Sequence, residues 1–210
     1  MNLSTVVVTH PRFESFEEYL DYTDDNNRLY ELFNGELIVV PPESGFNIGI
    51  ANFLLAFFLP VVGHLRVRGH GLELEVNGEP RNRYPDLTII KTEHIEQLRS
   101  RNTIRLQMAP PDLVVEVVSP GNLQRDRDYI AKRIQYQDSL SERLLLGQTL
   151  RYRQRDIPVY WIVDPQVREI MVLTLTEAGY QEQVYRGDDK LKFQDTLLEL
   201  TADDILSAGC

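Results

Sequence analysis

The chain has 210 residues, 42% of them hydrophobic and 26% charged, the make-up of an ordinary globular protein large enough for a proper core. Its one cysteine is Cys210, which excludes an internal disulfide and a thiolate metal centre and suits a reducing, cytoplasmic setting. The formal net charge of −10 opposes long-range attraction to nucleic acid and argues against a non-specific, high-affinity DNA binder, although a local basic cleft could exist against it.

The first residues, MNLSTVVVTHPRF, lack the basic and long apolar regions of a signal peptide. Ser15 with Glu18 predicts a capped helix running to about Tyr22. RLYELFNGELIVVPP predicts a hairpin, Leu29 to Phe33 and Leu37 to Val40, turning at Asn34-Gly35. From Asn47 to about Leu59 the apolar residues are too dense for a one-sided surface helix, which predicts a core helix; the apolar run from Ile48 is short for a membrane span and carries Asn52 and Pro60. Strands follow up to TIIK, with a second turn at Asn77-Gly78, and GLELEV predicts a strand with Glu73 and Glu75 on an exposed face. TEHIEQLRS predicts a short helix capped by Thr92. PPDLVVEVVSP predicts a strand from Asp112 to Val118 buried on both faces, followed by a helix from Leu123 to about Gln137. The segment 139–154 is longer than a simple connection requires. VYWIVDP predicts another buried strand, EIMVLTLTEAGYQEQVYRG a hairpin through Ala178-Gly179, and Thr201 with Asp204 caps a last short helix. The order is mixed α/β, with no repeat or linker along residues 1–210.

Glu116 stands alone as a charge in its apolar strand, where an unpaired carboxylate costs several kcal/mol, on the order of the burial penalty of an ion. A second Pro-Asp pair, in RYPDLTII, starts another buried strand with Asp86. If the strands are neighbours the two carboxylates meet, and like charges that close call for a cation. Oxygen donors without cysteine or clustered histidine favour Mg²⁺ or Mn²⁺. Lys132, flanked by Tyr129 and Tyr136 at helical spacing, could reach the pair from the following helix. Two metal-binding carboxylates and a lysine suit phosphodiester hydrolysis. Each residue has a structural alternative: Asp86 and Asp112 as turn residues, Glu116 as a buried acid paired with an arginine such as Arg125 or held protonated, Lys132 in an exposed pair with Asp128. His10, His64, His70 and His94 lack metal-ligand spacing. Arg99, Arg101 and Arg105 could touch phosphates or form a solvated face.

The pieces YELFNGELIVVPP, YPDLTII, PPDLVVEVVSP, RDRDYIAKRIQY and IPVYWIVDP resemble the Uma-type branch of the PD-(D/E)xK restriction-endonuclease-like superfamily of bacteria. The resemblance implies a central mixed β-sheet flanked by helices and divalent-metal nuclease chemistry on DNA. By position it implies Asp86 and Glu116 as catalytic metal ligands. Val118 stands where that motif has its lysine, and Lys132 matches a lysine displaced to the next helix. Glu36 resembles an additional acid near the N-terminus, with Glu31 its rival, and Asn47 stands where many relatives have histidine. Residues 139–154 read as an insertion in a single domain. A homodimer fits cleavage of both strands. The alternatives are a non-catalytic interaction protein on the same fold and a nuclease for RNA or nucleotides.

Overall fold

The computed structural model describes residues 11–22, 28–119, 155–193 and 196–209. The predicted helix over 123–137, with Lys132, and the segment 139–154 lie outside them. The described elements are four helices, α1 (Phe16–Asp21), α2 (Gly45–Val62), α3 (His94–Gln97) and α4 (Ala202–Leu206), and thirteen strands. Those that matter for the site are β1 (Tyr30–Phe33), β2 (Glu36–Val39), β3 (Val67–Gly69), β4 (Glu73–Glu75), β5 (Asn82–Arg83), β6 (Leu87–Ile89), β7 (Thr103–Ile104), β8 (Leu113–Val117), β9 (Val159–Asp164), β10 (Glu169–Thr176) and β11 (Gly179–Tyr185). The last two, β12 (Lys190–Phe193) and β13 (Thr196–Thr201), form a C-terminal hairpin that the sequence pattern did not announce.

A six-stranded mixed sheet in the order β11-β10-β9-β8-β6-β3 is the centre of the fold. Only β8 and β9 run parallel, and the other pairs are antiparallel. Along β8 the side chains alternate as expected. Leu113, Val115 and Val117 enter the core beneath α2, α4 and the β12–β13 hairpin, while Val114 and Val118 enter a second core on the opposite face. Trp161 is fully buried in the first core, against Phe58.

Over the second core lies a small sheet, β5-β4-β7, and over that the β1–β2 hairpin with α1. The hairpin turns through Asn34 at φ 49° and Gly35 at φ 79°, the left-handed geometry an Asn-Gly turn supplies. Asn82 ties hairpin to sheet: its amide donates to the Tyr30 carbonyl at 2.8 Å and accepts from the Leu32 N–H at 2.7 Å.

Two helices differ from their sequence reading. α2 buries only a stripe, Ile50, Leu54 and Phe58, and leaves Ile48, Leu59 and Val61 exposed, so it is apolar all round yet covers the sheet with one face. Its 18 residues, at a hydropathy of 1.9, are long and apolar enough to cross a membrane by length and composition alone. α3 starts after Glu93 with no side-chain cap, so Thr92 does not serve as one.

The expectation that Glu73 and Glu75 are exposed is overturned. Both are buried, because α1 packs over that face of β4. Glu73 accepts from Tyr19 at 2.7 Å, Asn82 at 2.6 Å and Tyr84 at 3.1 Å on one oxygen, and from Arg101 at 3.1 Å and Thr103 on the other. Glu75 accepts from Arg105 at 2.7 Å and the Leu106 N–H at 2.9 Å. Burial, and then the Glu73 charge, push the Tyr19 and Tyr84 phenols well above the ordinary tyrosine value, so both stay neutral donors.

Removing one member of such a network strands the others. Glu73→Leu is therefore expected to destabilise the fold by roughly 3–5 kcal/mol in urea unfolding, against no more than about 0.5 kcal/mol for a surface change such as Glu36→Ala.

His94 gives a pH-dependent counterpart. It is fully buried, accepting the Lys91 N–H at Nδ1 (3.2 Å) and donating from Nε2 to the Ala109 carbonyl (3.0 Å). Burial lowers its pKa from the ordinary 6.5. The unfolded chain thus takes up the proton first, and stability present above about pH 6.5 is lost as pH falls toward the folded value. Thermal unfolding of His94→Gln should show a shallower loss of Tm than wild type from about pH 7 to about pH 5.

Candidate functional site

The register of the central sheet brings the two predicted carboxylates together. Leu87 pairs with Val115 across β6–β8, so one further residue sets Asp86 opposite Glu116, on the same face. On the other side Gly69 pairs with Leu87, which sets His70 opposite Asp86. His70, Asp86 and Glu116 thus form one row across β3, β6 and β8. Asp86 is 7% exposed and Glu116 3%.

Asp86 is fixed where β6 begins. One more step of the register would place Pro85 opposite Val117, and proline has no N–H to give the Val117 carbonyl, which accepts from the Asn47 amide at 3.3 Å instead. The Val117 N–H donates to a carboxylate oxygen of Asp86, at 2.7 Å.

The row lines a cavity of about 80 Å³, whose wall also includes Glu31, Glu43 and Tyr84. Val40, Pro41, Glu43, His70 and Asp86 are shared with a larger cleft of about 520 Å³ between the hairpin and α2. Glu43 precedes the Ser44 cap of α2 and accepts from the Ser119 hydroxyl at 2.9 Å and from the Asn47 amide at 3.3 Å. Asn47 also donates to the Val117 carbonyl at 3.3 Å and to Ser119 at 3.1 Å, joining the start of α2 to the end of β8. It is buried there and does not line the cavity.

Glu36 lies elsewhere. It stands beside the Asn34-Gly35 turn, exposed, 3.7 Å from Arg12. The open end of the hairpin, at Val40 and Pro41, is what meets the site, about 13 Å along an extended strand from Glu36. Its rival Glu31 does line the cavity, with both oxygens near the Arg83 guanidinium at 3.0 and 3.1 Å. Asp112 sits at the far end of β8, ion-paired with Arg66 at 2.6 Å and Lys91 at 2.5 Å. Arg99, Arg101 and Arg105 pair with Glu96, Glu73 and Glu75. Lys132 falls outside the described residues.

Sequence reasoning missed Glu43 and His70. Glu43 had a signal, an acid just ahead of a helix cap near the hairpin's end. His70 could be found only from the strand register.

Among the described residues no trio of His, Cys, Asp or Glu is gathered as a metal cluster. The opposed pair Asp86–Glu116 nonetheless suits a hard divalent ion such as Mg²⁺, which binds through one or two carboxylates and fills its shell with water and substrate phosphate.

A putative nuclease belonging to DUF820 from Anabaena variabilis has a similar fold: its crystal structure superposes with a TM-score of 0.58 at 16% identity, covering 92% of this chain and 98% of that one. No curated protein matches. The model of the Uma2 family, described as "Putative restriction endonuclease", matches residues 16–206. The chain therefore belongs to the Uma2 family.

Proposed function

We propose that the protein is a Mg²⁺- or Mn²⁺-dependent nuclease that hydrolyses phosphodiester bonds in DNA, with Asp86 and Glu116 as the metal ligands. The observation that carries this reading is the placement of two buried carboxylates opposite one another across β6–β8, at a cavity that continues into an open cleft. Membership of a family described as "Putative restriction endonuclease" agrees with it. Asp86 and Glu116 would hold a divalent ion, which would supply polarisation of phosphate and bound water. The Val117 N–H holds Asp86 in place, so the ligand geometry is preorganised by the sheet. Lys132 orients or deprotonates the nucleophile. The auxiliary acid of the site is Glu31 or Glu43 rather than Glu36, because those two share the cavity wall with the ligands.

A second reading, a non-catalytic interaction protein on this fold, draws on the charge. Glu31, Glu43, Asp86 and Glu116 surround the cavity of a chain with net charge −10, a setting that repels a polyanion unless cations offset it.

Titration of Mg²⁺ and Mn²⁺ separates the two. Wild type is expected to bind either ion, and Asp86→Ala and Glu116→Ala to lose binding and cleavage of plasmid DNA together. Lys132→Ala should keep the ion and lose about 10²-fold or more in rate. A wild type that binds no divalent ion and cleaves nothing, with Glu116→Ala merely less stable, points to the second reading. Glu31→Ala should lower cleavage about tenfold or more while Glu36→Ala leaves it unchanged.

A further inference from the structure

The cleft of about 520 Å³ beside the carboxylate row is unlike a phosphate channel. Leu29, Val40 and Pro41 of the hairpin form one wall, and Ile48, Ala51 and Leu55 of α2 the other. Ile48 is 46% exposed, so the cleft presents apolar surface to water. Its volume lies in the range of sites that bury small molecules, about 300–1,000 Å³.

Its polar groups are few and placed at its edges. Asn52 lies on the α2 side with an exposed amide that can both donate and accept. Glu43, His70 and Asp86 belong to the boundary shared with the carboxylate cavity. Among the described residues Arg28 is the one lysine or arginine in the lining. Duplex binding rests on several cation–phosphate contacts, and a duplex offers only base edges in its grooves. An unpaired base, by contrast, has free faces that rest on apolar and ring surfaces and an edge that an amide can read.

We infer that this cleft is a nucleobase subsite, and that the site takes an unpaired nucleotide of single-stranded DNA, with the base between hairpin and α2 and its phosphate at Asp86 and Glu116. The position of the phosphate rests on the nuclease reading above. The base subsite stands on the shape and lining of the cleft, and a free nucleotide has the same chemistry as one in a strand.

Binding tests the subsite directly. A fluorescent 12-mer single strand and the same sequence as a blunt duplex are titrated with the full chain in Mg²⁺, with thymidine 5′-monophosphate and inorganic phosphate as competitors. Wild type should bind the strand at least about tenfold more tightly than the duplex. Ala51→Phe, which fills the cleft, should weaken strand binding about tenfold or more while Mg²⁺ affinity stays at the wild-type value. Asn52→Phe fills the cleft from an exposed position and serves if Ala51→Phe lowers the Tm. Displacement of the strand by thymidine 5′-monophosphate but not by phosphate assigns the subsite to a single nucleotide. Failure of the monophosphate, with strand binding still lost in the variants, assigns it to a nucleotide within a strand. Equal affinity for strand and duplex, or variants that bind the strand as wild type does, overturns the inference. Loss of Mg²⁺ binding and of all cleavage, with strand binding intact, overturns the nuclease reading alone.

Discussion

The hydrogen bond from the Val117 N–H to Asp86 is the joint on which the site depends. Proline before Asp86 has no N–H to give the Val117 carbonyl, while the Asp86 carboxylate accepts the Val117 N–H. That bond converts a strand end into a fixed side chain opposite Glu116, in a sheet whose neighbouring strands are buried on both faces. Asn47 performs the matching task for the Val117 carbonyl, donating its amide to it and to Glu43 nearby. A single residue of β8 thus relates three acidic side chains to one another through its main chain.

Buried charge has two fates in this fold. Glu73 and Glu75 are surrounded by phenols, an amide, a hydroxyl, guanidinium groups and a backbone N–H, which satisfy their oxygens and leave them no chemistry to perform. They bind the small sheet to α1. Asp86 and Glu116 instead border an open volume. The difference is one of architecture rather than residue type, since all four are strand or strand-end carboxylates with little exposed surface.

The same distinction explains what the sequence made legible. Local chemistry marked both Asn-Gly signals, the Ser15 cap and the Thr201–Asp204 capping box, because each is settled within four residues. Pro-Asp ahead of an apolar run marked both strand starts, but that β6 and β8 are neighbours, which sets Asp86 opposite Glu116, is a property of the sheet. The period of two in GLELEV separated Glu73 from Leu74 correctly, yet could not tell that α1 would cover the glutamate face. Glu36 and Glu31 both follow the hairpin pattern, and only the packing of its open end against β6 and α2 distinguishes them. His70 joins the row through a register between strands, which no local pattern encodes.

The unburied sides of α2 have a consequence for the molecule in solution. Ile48, Leu59 and Val61, together with Ile38 and Val39 of the hairpin, form apolar surface on a chain with net charge −10. Mutual repulsion between like-charged molecules keeps such surfaces apart in dilute buffer. Once added salt shortens the screening length to about 3 Å, near 1 M, that repulsion no longer reaches across the gap between neighbours, and colloidal stability passes from charge to the wetting of α2.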